Sequence, residues 1–169
     1  MAYIYPAPGV GTAQATLTLS VNANAGDTNS LPLPSLQDIT LNNANDVFSW
    51  TTLDNGSKQQ IATTSTNSLA MNLVVDQTKF FGTDYASATA AGAATSTAAE
   101  YGVFGLSKDK VKVDFSLYMG DEDDGTNGPT VTGEAYVTGL APTVSADSPV
   151  WVTPITLTVD GDYSFTTGA

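Results

Sequence analysis

Val111-Lys112-Val113-Asp114-Phe115-Ser116-Leu117-Tyr118-Met119, followed after a loop by Val131-Thr132-Gly133-Glu134-Ala135-Tyr136-Val137-Thr138, decides the fold of this chain. Small or apolar residues recur at every second position in both runs. Successive strand side chains point to opposite faces, so one side of each run belongs to a core and the other to water. The two runs are predicted to pair as a hairpin. The same period runs outward from them through Ala15, Leu17, Leu19 and Val21, through Leu69, Met71, Leu73 and Val75, and through Ile155, Leu157 and Val159. Pro154 lacks a ladder donor and marks an edge, a bulge or a change of sheet just after Trp151. Asn22 to Pro34 reads as a loop and Ser35 to Leu41 as a short strand. Six to eight strands are expected.

Between the strands lies a weaker helical signal. Asp76 or Thr78 is placed to cap a short turn carrying Phe80 and Phe81 and ended by Gly82. Residues 83–99 are rich in Ala, Ser, Thr and Gly and read as part helix, part mobile loop. Thr97-Ala98-Ala99-Glu100 has the spacing of a capping box and starts a helix toward Leu106, weakened by Gly102 and Gly105. Further upstream, Leu53-Asp54-Asn55-Gly56-Ser57 carries Asn-Gly between strand-like flanks. Both central positions of a type I′ turn need positive φ, so a hairpin turn is expected at Asn55-Gly56.

Composition narrows the function. The 169 residues hold seventeen acidic side chains against five lysines, a net charge of −12, and no arginine, histidine or cysteine. The forked phosphate donor, the neutral-pH titrating group and the thiol nucleophile are all missing, which argues against an enzyme. Gripping nucleic acid requires clustered Lys and Arg, and this chain repels phosphate instead. No run approaches the ~20 apolar residues of a membrane helix, and the first residues lack a signal-peptide pattern, so a protein made in a cytoplasm is expected. The length fits one domain, 1–169.

Two groups of residues are candidate sites. Asp121, Asp123 and Asp124, within Asp121-Glu122-Asp123-Asp124-Gly125, offer oxygens to a hard cation such as calcium, but depart from the EF-hand spacing. A solvated acidic loop tip is the preferred reading, with no metal or cofactor. The other group is aromatic: Tyr3 and Tyr5 in a Pro/Gly-rich arm, Trp50 beside the turn residues Asp54 and Asn55, and Tyr163 and Phe165 near the end. Burying such side chains contributes about 1.5–3 kcal/mol each, so they are expected either to make contact between subunits or to fold back on their own domain.

The order of segments resembles the tail tube, or major tail, proteins of long-tailed (siphovirus-like) bacteriophages. It does so from Thr40-Leu41 through Trp50-Thr51-Thr52-Leu53-Asp54-Asn55-Gly56, from Leu69–Asp76 to Phe80-Phe81-Gly82, and through Phe104-Gly105-Leu106-Ser107-Lys108 before a strand. It continues with Gly133–Leu140, which closes on Pro142-Thr143-Val144-Ser145-Ala146-Asp147, and ends on Ile155-Thr156-Leu157-Thr158-Val159-Asp160-Gly161. The resemblance implies a mainly β fold, a β-sandwich or half-barrel with one short flanking α-helix. It also implies hexameric rings stacked into a tube that DNA traverses without specific binding. Contacts between rings would come from an N-terminal arm, 1–12, a long loop or hairpin, 42–67, and a C-terminal segment, 161–169. Implied partners are further copies of the chain, a tape measure protein, and tail terminator and baseplate proteins; the implied location is the virion tail.

Two other classes fit the composition. One is a carbohydrate-binding β-sandwich using Trp50, Trp151 and loop tyrosines; the other is a capsid-decoration or surface-layer protein.

Overall fold

The computed structural model describes residues 15–21, 30–33, 36–52, 55–92, 95–120, 128–145 and 148–167. Eight strands and three helices follow in the order β1 (Thr16–Ser20), β2 (Leu31–Leu33), β3 (Leu36–Thr52), β4 (Asn55–Val74), α1 (Gln77–Phe81), α2 (Tyr85–Ala91), α3 (Ala98–Lys108), β5 (Lys112–Tyr118), β6 (Thr130–Leu140), β7 (Thr143–Ser145) and β8 (Ser148–Thr166). The strands form one antiparallel sheet in the order β2-β1-β5-β6-β8-β4-β3, with β7 attached to β8. The fold is mainly β, as expected, with the helices gathered at its flank.

The alternation read from the sequence becomes the inner face of this sheet. Leu17, Leu19, Leu31, Leu33, Val113, Phe115, Leu117, Val131, Val137, Ile155, Leu157, Leu69, Met71 and Leu73 are all buried in one cluster. Strands at opposite ends of the sheet order share that cluster, so the sheet curls over a single core. Helix α3 covers β6 and the β1, β2 and β5 side. It contributes Tyr101, Val103 and Leu106, while α1 adds Phe80. Each fully buried side chain of this size contributes about 1.5–3 kcal/mol.

β5 and β6 pair from Lys112↔Tyr136 to Tyr118↔Thr130, the predicted hairpin. The loop expected over Asn22 to Pro34 contains strand β2 instead. Leu31-Pro32-Leu33 pairs with Leu19-Thr18-Leu17, burying both leucines at the sheet margin while Pro32 faces outward. Such an edge tolerates proline because no further strand needs its donor. Pro154 is accommodated in a related way. It stands just past Leu140↔Ile155, the last β6–β8 pair, and Asn72, its partner on β4, directs its own N–H to Asp38. No ladder bond is lost.

The helical caps form as the sequence indicates. Asp76 Oδ1 accepts from the N–H groups of Thr78 and Lys79, and Gly82 closes α1 with φ +83. The capping box of α3 is complete: Thr97 N–H donates to Glu100 Oε2 at 2.8 Å, and Glu100 N–H donates to Thr97 Oγ1 at 3.4 Å. Gly102 interrupts α3 with φ 64 and ψ 170, and Gly105 leaves room for the Tyr85 ring.

Candidate assembly surfaces

β3 and β4 are 17 and 20 residues long, far beyond the strands they pack beside. β4 pairs with β8 only over Ser68–Val74, whereas β3 and β4 continue to pair with each other as far as Thr52↔Asn55. Beyond Ser68 the two strands therefore leave the sheet as a free ribbon, about 40 Å long at the usual strand rise. Two-stranded ribbons are only marginally stable in water. This one is exposed from residue 42 to 52 and from 56 to 66.

Its outer part is apolar as well as exposed. Phe48 and Trp50 stack at 5.8 Å between ring centroids with 25° between planes, and Ile61 lies opposite Phe48 in the ladder. Val47 pairs with Ala62. Phe48 is 60% exposed and Ile61 55%. A β-bulge sets this pairing, because Thr63 and Thr64 together oppose Asp46 between the pairs Asn45↔Ser65 and Val47↔Ala62. Asp46 holds the bulge, its backbone carbonyl accepting from Thr63 Oγ1 and its Oδ2 from Thr64 Oγ1, both at 3.2 Å. An extra residue on one strand switches its alternation, bringing Ile61 level with Phe48.

The turn differs from the sequence expectation. Asn55 and Gly56 begin β4, and Gly56 does not take up the positive φ that a type I′ turn needs. The Thr52↔Asn55 pair places the connection at residues 53–54. The bulge and the shift between Trp50 and Thr52 move the register, which an Asn-Gly signal cannot report.

The remaining site candidates are scattered. Trp50 is on the ribbon. Asn55 enters the ladder beside the tip, and Asp54 lies outside the described residues, as do Tyr3, Tyr5, Asp121, Asp123 and Asp124. Tyr163 is half-buried against the core, where its hydroxyl accepts from Asn43 Nδ2 at 3.0 Å at the ribbon's root. Phe165, paired with Val131, is 72% exposed at the same end of the sheet. Among the described residues no group of three or more acidic side chains is placed to hold a metal ion. Nor is any helix among them long and apolar enough to cross a membrane.

No protein-family model matches the sequence, and no curated protein does. Solved structures do match its fold. The chain is similar to one in the six-fold symmetrised baseplate of the anti-feeding prophage, with a TM-score of 0.59 at 12% identity, covering 99% of this chain and 98% of the other. It is also similar to a chain in the tail of an empty gene transfer agent particle refined with C6 symmetry, with a TM-score of 0.57 at 13% identity over 89% and 96%. A third is in the extended sheath-tube complex of the extracellular contractile injection system PVC, with a TM-score of 0.55 at 15% identity over 96% and 93%. The fold is tail-tube-like.

In this tail-tube-like fold the sheet's outer face carries most of its polar and acidic side chains. Thr18, Ser20, Asp114, Ser116, Thr132, Glu134, Asp162 and Ser164, together with Phe115 and Gly133, line a shallow cleft of about 360 Å³ on it. Lys112 is bound by Glu134 at 2.5 Å and by Asp160 at 2.9 Å. Its ammonium is pushed well above the ordinary lysine value, first by the bond to Glu134 and then by that to Asp160. Across β1, β5, β6 and β8 this face carries Asp114, Glu134, Asp160 and Asp162 against this one lysine.

At the other end of the sheet, β7 and β8 form a short hairpin that exposes Val144, Val150 and Trp151. Sequence reasoning did not single out Val144 or Val150. The only signal available was a Val-Trp pair just ahead of Pro154, and it does not distinguish a buried strand from a projecting one.

Proposed function

We propose that this chain is a non-enzymatic structural subunit of the tail tube of a long-tailed, siphovirus-like bacteriophage or related particle, in which copies form hexameric rings that stack around a lumen for DNA. The observation that carries the reading is the free β3–β4 ribbon with Phe48, Trp50 and Ile61 exposed on a tail-tube-like fold. A soluble monomer gains nothing from holding such side chains in water, whereas a stacked subunit buries them.

The polar outer face fits the lumen side of such a tube. Hydroxyls and surplus carboxylates repel phosphate without presenting a basic grip, so DNA slides past. Other copies of the chain are the principal partners, with a tape measure protein inside and terminator and baseplate proteins at the ends. The arm, residues 1–12, and the segment 161–169 are proposed to add contacts between rings. Its location would be the virion tail.

Sedimentation velocity over a concentration series, combined with negative-stain microscopy, tests this reading. Rings or hollow tubes about a six-fold axis are expected; a strictly monomeric species at high concentration would overturn it.

A further inference from the structure

The exposed apolar side chains carried by the sheet fall at its two opposite ends, apart from the exposed Phe81 and Phe104 pair on α1 and α3. β8 runs antiparallel to β4, from Val152↔Val74 to Thr158↔Ser68, and the ribbon leaves beyond Ser68. Phe48, Trp50 and Ile61 therefore lie off the Thr158 end of that ladder. Val144, Val150 and Trp151 lie off the other, where Val75 N–H donates to the Trp151 carbonyl at 2.8 Å. The two patches are carried on different elements and have different shapes.

We propose that the β7–β8 hairpin is the seat on which the β3–β4 ribbon of a second copy docks, Phe48, Trp50 and Ile61 packing against Val144, Val150 and Trp151. The proposal rests on the tube reading and names the acceptor that reading leaves unassigned. Two-fold pairing of ribbons would cover one patch and leave the other in water. Head-to-tail contact covers both on every copy and repeats without closing, as an axial stack requires. Charge permits this choice. Lys58, the sole lysine of β3 and β4, shares the ribbon with Asp46, and Asp76 beside the seat caps α1 and is offset by Lys79, so neither surface carries a strong surplus of one sign. In a chain of net charge −12, a nearly balanced ribbon meets less repulsion at this end than at the acidic outer face.

The absence of native cysteine makes the test clean. Full-length chain carrying both Phe48→Cys and Val150→Cys is assembled, treated with a short bismaleimide and run on a denaturing gel. A ladder of trimers and longer covalent chains is expected. The pair Ile61→Cys with Val144→Cys, which keeps every aromatic residue, serves if the first pair does not assemble. Phe48→Cys alone should give no product beyond uncoupled monomer; efficient dimers from it mean that ribbons pair with each other and overturn the proposal. Phe48→Cys with Thr18→Cys, on the middle of the outer face, should give no ladder, and a ladder equal to that of the test pair also overturns it. Tubes visible by microscopy without a ladder from either test pair place the seat elsewhere while leaving the tube reading intact. Failure of the parent chain to assemble removes both.

Discussion

Gly82 and Gly102 meet backbone to backbone where α1 ends against the interrupted α3. A Cβ at Gly102 would fall 2.2 Å from the Gly82 nitrogen, and one at Gly82 would fall 2.0 Å from the Glu100 carbonyl oxygen. Both residues also have positive φ, +83 and +64. Neither neighbour is the tip of a flexible side chain, so the backbone itself would have to move. Gly102→Ala is expected to destabilise the domain by about 2–4 kcal/mol from left-handed strain and overpacking together. At roughly 2–4 °C per kcal/mol for this size, melting followed by circular dichroism should fall by ~5–15 °C. An unchanged melting temperature would show that the two segments are not held in this contact.

Removing the ribbon's aromatic face should separate assembly from folding. Phe48→Ser with Trp50→Ser alters residues outside the core, so melting should shift by less than that of Gly102→Ala. Sedimentation should show loss of large species at concentrations where the parent assembles. Normal tubes from this variant would exclude the ribbon as a stacking element.

Asp46 is a separate control on the same element. Asp46→Ala removes the carboxylate that accepts from Thr64 but keeps the backbone carbonyl used by Thr63. Amide exchange over residues 56–66 is expected to quicken while exchange in β5 and β6 stays unchanged, because the ribbon opens independently of the core. If exchange accelerates throughout the sheet, the ribbon and the core are one cooperative unit.

Lys112 predicts a pH response with a definite sign. Its folded pKa is raised above the ordinary 10.5, so its contribution to stability is fully present below that value and fades only as pH rises through the higher folded value. The effect is small because the three side chains are exposed. The Lys112 Cε resonance of lysine-labelled protein should begin to titrate above pH 10.5, and in Glu134→Gln its midpoint should fall toward 10.5. A midpoint at or below 10.5 in the parent contradicts the clamp.

The parts of the fold legible in the sequence are those where one face is buried. β5 and β6 show clean alternation because Val113, Phe115 and Leu117 oppose a polar outer face, and Thr97 with Glu100 fixes a helix start through local bonds alone. The ribbon is illegible for the same reason turned round. From Asn42 outward both faces meet water, so no period-2 signal separates strand from loop, and the bulge at Asp46 breaks what regularity remains. β2 escapes notice because three residues with a central proline carry no periodicity; only pairing with β1 makes them a strand. Trp50 reads as a subunit-contact residue because it has no claim on the core. Trp151 reads only as a sugar-contact candidate, because the exposure of the Val150-Trp151 end depends on where β6 and β4 stop.

β8 links the two ends of the molecule without a break. It begins beside the β7 turn, supports the root of the ribbon through Ser68–Val74, and finishes against β6. Tension applied to the ribbon along its length would act parallel to the β4 and β8 strands, loading all of their shared hydrogen bonds at once instead of peeling them singly. A column of such subunits would carry axial force through continuous peptide bonds and sheared ladders, leaving the helices at its flank out of the mechanical path.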